Sequence, residues 1–239
     1  ANNLAYTVSL SRDNTRINPI FPTGGSSFNI SAKFTPPYSL FTGRDFSNLE
    51  NLPEFQDSNG NPLIALIDQE KFKWLEFYKV KFNGTWYTKI FADLVLKTQA
   101  DFGFIGTYNQ SRGNIPFERF FLGGDGMVNY ALDGRENIAL RGYPNQSLSN
   151  RDGSVIYNKF SLELRYPITL KPSASIYALT FLEAGNGYDS FRTFDPFNSK
   201  RSAGAGVRIF MPAFGLLGID FGYGFDNPNP NTFTPNGWE

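Results

Sequence analysis

The chain has 239 residues, and its 22 basic and 22 acidic side chains cancel, which argues against a nucleic-acid partner because such partners require a basic surface. It contains no cysteine and no histidine, so disulfides, thiolate or histidine metal sites and Ser-His-Asp catalysis are excluded. No apolar run reaches the length of about eighteen residues that a transmembrane helix needs, and none is predicted.

Eight stretches alternate between apolar and polar residues with the period of two that is typical of a half-buried strand. In chain order they are residues 4–11, 26–34, 78–86, 94–104, 160–168, 177–184, 203–209 and 217–225. In the stretch 177–184 both faces are apolar, so alternation does not decide which face is which. The last stretch sets an apolar face against a polar, glycine-rich one: Leu217, Ile219, Phe221, Tyr223 and Phe225 against Asp220, Gly222 and Gly224.

The same alternation fits a soluble sandwich, but three features favour strands that cross a bilayer. The stretches approach the roughly ten residues that a tilted transmembrane strand needs, whereas soluble strands average about five or six. The connections 36–76 and 110–156 are long, while 169–172 and 212–215 are tight turns, as in outer-membrane proteins. Aromatic residues recur near the predicted strand ends, as an interfacial girdle requires: Tyr78, Trp86, Phe104, Tyr166, Tyr223 and Phe225. We therefore predict an all-β, antiparallel transmembrane barrel of the outer-membrane type.

Five stretches, taken in order, resemble the Omp85 superfamily. They are NPIFPTGGSSFNISAKFT (18–35), FERFFLGGDGMVNYALDGRENIALRGYPN (117–145), NKFSLELRYPI (158–168), LTFLEAGNGYD (179–189) and SAGAGVRIFMPAFGLLGIDFGYGFD (202–226). Within the second stretch, Arg141, Gly142 and Tyr143 match the family's (V/L)RG(F/Y) motif. The resemblance implies a sixteen-stranded barrel of which residues 1–239 form the C-terminal part, from the eighth to the fifteenth strand, with the last strand and the preceding POTRA domains outside this sequence. We therefore expect an open, curved sheet in which the stretch 4–11 has no preceding neighbour.

The resemblance also implies a site for the arginine. Residues 110–156 would be the sixth extracellular loop, folded into the lumen, with Arg141 docked on Glu163 and Glu183 of the inner wall. Glu163 lies on a polar face by its own alternation, whereas the inward orientation of Glu183 rests on the resemblance alone. The plain alternative is a solvated loop arginine.

The function implied is the assembly and insertion of outer-membrane proteins in the bacterial outer membrane, by a barrel that offers a strand edge and performs no covalent chemistry. Its partners would be unfolded outer-membrane proteins, accessory lipoproteins and lipid, and no catalytic residue, cofactor or metal is expected. The acids Asp125, Asp133 and Glu136 lie among glycines, but their spacing fits no EF-hand loop.

Four alternatives are considered, and the sequence disfavours the last two. The chain could be a two-partner secretion or translocation pore of the same superfamily, which predicts one dedicated substrate and a lumen cleared of the loop. It could be the barrel of a patatin-fused enzyme, whose catalytic domain would precede it. An outer-membrane phospholipase needs a Ser-His pair, and this chain has no histidine. A complete eight-stranded structural barrel would need the strands to close on themselves.

Overall fold

The computed structural model describes residues 2–15, 18–43, 45–113, 115–126 and 135–228. In chain order its strands and helices are β1 (Tyr6–Asp13), β2 (Gly24–Phe34), α1 (Tyr38–Thr42), α2 (Ile64–Lys71), β3 (Tyr78–Phe91), β4 (Leu94–Gly106), β5 (Phe120–Leu122), β6 (Glu136–Ile138), β7 (Ile156–Lys171), β8 (Ala174–Tyr188), β9 (Lys200–Met211) and β10 (Gly215–Gly224). Short 3-10 turns occupy Leu49–Asn51, Pro53–Phe55 and Gln110–Arg112. No helix in these ranges is long and apolar enough to cross a membrane.

Eight of these strands form one antiparallel sheet in the order β1-β2-β3-β4-β7-β8-β9-β10. Each strand pairs with its neighbour along the chain, except that β4 pairs with β7 across the long loop. Within the described residues β1 pairs only with β2, and β10 pairs only with β9. The expected open sheet is confirmed, and the described strands do not close into a small barrel.

The two faces of the sheet follow the alternation of the sequence. On β10, Ile219 and Phe221 are 73% and 81% exposed, whereas Asp220 points to the opposite, inner face and contacts Arg141. On β8 the structure resolves the ambiguous stretch, because Phe181 and Glu183 are buried on the inner face while Leu182 between them is exposed. The predicted orientation of β10 is confirmed, and the inner face of β8 proves to be apolar as well as acidic.

The inner face of β8 tolerates apolar residues because other parts of the chain cover it. Phe21, from the connection between β1 and β2, packs edge-on against Tyr177 with ring centroids 5.3 Å apart. It belongs to a buried cluster on the inside of the sheet: Phe21, Val95, Tyr177, Leu179 and Phe181. A strand that is apolar on both faces therefore has one face outward and one face under the chain's own residues.

The strands are longer than predicted at most ends. β3 continues to Phe91 because its pairing with β4 extends through Thr88 and Lys89. Trp86 therefore lies within β3, as Tyr166 lies within β7, and the prediction that these two aromatic residues lie at strand ends is wrong. Similarly, β7 runs to Lys171, so the turn to β8 is shorter than predicted. Cross-strand hydrogen bonds continue past the residues whose alternation is clean, which is why the sequence pattern underestimates the strands.

The connection between β2 and β3 contains α1 and α2, which the sequence analysis did not predict. Its residues surround a small apolar cluster of Phe46, Leu49, Phe55 and Ile67. A buried ion pair joins this connection to the start of the long loop, since Arg112 Nη1 lies 2.8 Å from Glu76 Oε2. Helices this short carry too few turns for a helical period to show in the sequence.

The long loop between β4 and β7 lies on the inner face of the sheet. Its two short strands pair in parallel, with Phe120 opposite Glu136 and Leu122 opposite Ile138. Phe120 packs edge-on against Tyr157 of β7, with ring centroids 4.6 Å apart. The loop thus brings its own apolar residues against the wall and covers polar strand residues that would otherwise face the lumen.

Candidate functional site

Two acids on neighbouring strands form the centre of the site. Ser161 of β7 pairs with Glu183 of β8, and Glu163 pairs with Phe181, so the two carboxylates lie diagonally on one face. Their side chains are only 7% and 2% exposed. Two buried carboxylates this close are unfavourable unless cations neutralise them.

Arg141, from the long loop, lies between these acids. Its Nη2 is 2.8 Å from Glu163 Oε1 and 2.6 Å from Glu183 Oε1. Its Nε also donates to Glu183 Oε1 at 3.1 Å, and its backbone N–H donates to Glu183 Oε2 at 2.9 Å. The structure therefore brings together Arg141, Glu163 and Glu183, and the arginine is not the solvated side chain of the plain alternative.

Asp220 of β10 is a third acid at the same guanidinium, and the sequence analysis did not name it as a partner. Its Oδ2 accepts from Arg141 Nη1 at 3.1 Å. Arg208 of β9 binds the same carboxylate with both Nη atoms, at 2.5 and 2.6 Å. The alternation already placed Asp220 on the inner face, and its position as a lone acid among glycines on that face was the available signal. We call Arg141 with Glu163, Glu183 and Asp220 the arginine site.

The acids of the arginine site have further cations nearby. Arg165 Nη2 lies 2.5 Å from Glu163 Oε2, and Lys159 Nζ lies 3.5 Å from Glu183 Oε1. An aromatic ring also faces the arginine, because its guanidinium carbon is 3.7 Å from the centroid of Phe181. The guanidinium therefore combines charge-assisted hydrogen bonds with a cation–π contact, a combination that lysine does not reproduce.

Gly142 allows the loop to approach the backbone of β10 closely. Its φ of 88° lies in the left-handed region, and a Cβ there would stand 2.8 Å from the carbonyl carbon of Tyr223. Tyr143, the next residue, is buried, and its hydroxyl donates to the carbonyl of Arg201 at 2.7 Å. The same hydroxyl accepts from the backbone N–H of Asp226 at 3.3 Å. The three motif residues thus bind four different strands or their ends.

Gly142→Ala should displace the motif from β10, because the substitution adds both backbone strain and a steric overlap. We expect a cost of about 1–3 kcal/mol in the docked state of the loop. Gly113→Ala is a matched control, since Gly113 also has a positive φ (76°) but no atom within 4 Å of the added Cβ. Amide hydrogen exchange of residues 139–145 measures the effect; equal exchange in the two variants would contradict the close-approach account.

Among the residues that the structure describes, the remaining acids form no metal site. None of the described residues belongs to a group of three or more Asp, Glu, His or Cys that could hold a metal ion. Asp133 lies outside the described residues. Glu136 instead contacts lysines of the wall, with Lys79 Nζ at 2.7 Å and Lys81 Nζ at 2.8 Å.

Comparison with known proteins agrees with this fold. The model of the Omp85 superfamily domain matches residues 2–234. Among solved structures, the chain is similar to the crystal structure of BamA from Haemophilus ducreyi lacking POTRA domains 1–3, with 18% sequence identity and a TM-score of 0.59. That similarity covers 91% of this chain but 38% of the other, so the chain spans well under half of the length of that structure. No curated protein sequence matches the chain.

Proposed function

Because the chain belongs to the Omp85 superfamily, we propose that it forms part of a barrel that assembles and inserts other proteins into the bacterial outer membrane. Residues 1–239 would be the C-terminal part of this barrel, and residues 110–156 its sixth extracellular loop, which fills the lumen. The unfolded outer-membrane proteins would be its substrates, and accessory lipoproteins its partners.

The observation that carries this proposal is the docked loop. Arg141 is bound to acids on β7, β8 and β10, and its side chain is only 15% exposed. A secretion pore needs a lumen through which an extended chain can pass. The described part of the lumen is instead occupied by the loop, whose apolar residues pack against the wall. This arrangement favours assembly over export.

The outer face supports a location within a bilayer. Its exposed residues on β8 and β10 are large and apolar: Leu182, Leu217, Ile219, Phe221 and Tyr223. Contiguous exposed apolar surface of this kind is rare on soluble monomers and is the normal outer surface of a membrane barrel. The polar face is turned inward, as the lumen of such a barrel requires.

The mechanism would use backbone hydrogen bonds and no covalent step. A strand at the edge of a sheet presents unpaired N–H and C=O groups, and an incoming strand can pair with them in a β-augmentation. The arginine site would hold three wall strands in a fixed relation to the loop, so that the barrel keeps its shape while one edge is open. Arg141, Gly142 and Tyr143 are thus docking residues, and Glu163 and Glu183 are their wall partners.

Depletion of the protein in its own bacterium tests the proposal. If the protein is an assembly factor, the levels of many unrelated outer-membrane barrels should decrease together, and their unfolded forms should accumulate in the periplasm. Quantitative proteomics of isolated outer membranes measures this. Loss of a single exported protein, with other barrels at normal levels, would contradict assembly and favour the secretion pore.

A further inference from the structure

The inner face of β2 and β3 is basic. Lys33 of β2 pairs with Lys79 of β3, and Lys81 follows two residues later on the same face. Lys79 is 4% exposed although it carries a charge. A buried ammonium group is costly unless anions neutralise it, so the residues that face Lys79 decide whether this wall is stable.

Two acids of the long loop provide the neutralising charges. Glu118 Oε1 lies 2.5 Å from Lys33 Nζ, and its backbone carbonyl accepts from Lys79 Nζ at 2.7 Å. Glu136 bridges Lys79 and Lys81, at 2.7 and 2.8 Å. We call these five residues, Lys33, Lys79, Lys81, Glu118 and Glu136, the lysine site.

The backbone of the loop is shaped to place both acids. Glu118 has a φ of 65°, a left-handed conformation that is uncommon for a residue other than glycine. Glu136 begins β6 and pairs with Phe120 of β5, and its N–H donates to the carbonyl of Arg119 at 3.1 Å. Phe120 also packs under Lys79, whose Nζ is 4.6 Å from the ring centroid. Lys79 is thus contacted by Glu118, which precedes β5, by Phe120 of β5 and by Glu136 of β6.

The charge state of Glu136 fits this environment. Burial alone would raise the pKa of this carboxyl, but the contacts with Lys79 and Lys81 outweigh burial and lower the pKa. Glu136 is therefore ionised at neutral pH, and the ion pairs with both lysines are formed.

We propose that the lysine site is a second docking site for the long loop, in which Glu118 and Glu136 act as positioning residues with a polarity opposite to that of Arg141. The loop then carries two acids toward the basic inner face of β2 and β3, and an arginine toward the acids of β7, β8 and β10. Shifting or reversing the loop would bring Glu136 near Glu163, or Arg141 near Lys79, and like charges would face each other. Two sites of opposite polarity therefore allow only one orientation of the loop in the lumen.

Charge reversal at Glu136 tests this inference in the folded full-length protein. Glu136→Lys should raise amide hydrogen exchange in residues 117–126 and 135–138 by about tenfold or more, because four lysines then share the single acid Glu118. The double variant Glu136→Lys with Lys81→Glu keeps the net charge and should restore most of the protection. Asp152→Lys is the matched control, because Asp152 is an exposed acid in the same loop and its reversal should leave exchange unchanged.

Protection of β7 and β8 serves as the internal standard, since it distinguishes release of the loop from unfolding of the wall. If Glu136→Lys fails to fold, Lys79→Met, which removes the central cation without reversing a charge, is measured in its place. Exchange in Glu136→Lys equal to that of the wild type would overturn the proposal, as would a double variant that is no better protected than Glu136→Lys alone. Because the experiment measures the protection of the loop and not assembly activity, its result is independent of the proposed assembly function.

Discussion

Arg141→Ala should release the long loop from the acidic wall and reduce assembly activity by roughly tenfold or more. The substitution removes hydrogen bonds to Glu163, Glu183 and Asp220 at once. Removing the sole partner of a buried charge typically costs about 3–5 kcal/mol. Here Arg165 remains at Glu163 and Lys159 remains at Glu183, so we expect a smaller loss of about 2–4 kcal/mol in the docked state.

Two variants make the Arg141→Ala result interpretable. Arg141→Lys keeps the charge but not the several simultaneous hydrogen bonds, and should restore only part of the activity. Arg151→Ala removes an exposed arginine of the same loop and should behave as the wild type. Assembly rate and amide exchange of residues 139–145 should change together; Arg141→Ala with full activity and a protected loop would show that the arginine site does not hold the loop.

Ile219→Arg should impair membrane insertion of the barrel itself. Ile219 lies midway along β10 on the outward face, and its side chain is 73% exposed. An arginine on the lipid face near the bilayer midplane costs about 2–4 kcal/mol, and the cost falls to about 0–1 kcal/mol near the interfaces. Phe214→Arg is the matched control, because Phe214 is 76% exposed but lies in the turn that precedes β10.

The yield of heat-modifiable, membrane-inserted protein measures both variants. We expect a large loss for Ile219→Arg and a yield close to wild type for Phe214→Arg. Normal insertion of Ile219→Arg would mean that this face of β10 does not contact lipid, and the orientation of the sheet in the membrane would then be wrong.

The faces of most strands could be predicted from the sequence, because one face is exposed and apolar and the other is polar. The faces of β8 could not be predicted, because both are apolar. Its inward residues Tyr177 and Leu179 are distinguished from the outward ones only by tertiary packing, in which Phe21 from a distant connection covers them. The position of Trp86 was mispredicted because hydrogen bonding to β4 extends β3 past the regular alternation.

The site was predictable in part. The motif at Arg141 and its partners Glu163 and Glu183 came from resemblance, and alternation independently oriented Glu163. Asp220 was predicted on the inner face but not as a partner of Arg141. The alternation of a strand indicates which face a residue lies on, but not which loop residue contacts it. The lysine site was not predicted at all. It depends on the parallel pairing of β5 with β6, three residues each, which leaves no periodicity to read.

The central claim, that this barrel assembles other barrels, is tested most directly by reconstitution. The full-length protein, purified and placed in vesicles of bacterial outer-membrane lipid, should accelerate the folding of an unfolded outer-membrane barrel added from urea, without any energy source. Folding is followed by heat-modifiability on gels, and vesicles that contain the Arg141→Ala variant and empty vesicles serve as the comparisons. We predict acceleration by the wild type and little by Arg141→Ala; a wild-type rate equal to that of empty vesicles, together with passage of an extended polypeptide through the lumen, would contradict the account and identify a secretion pore.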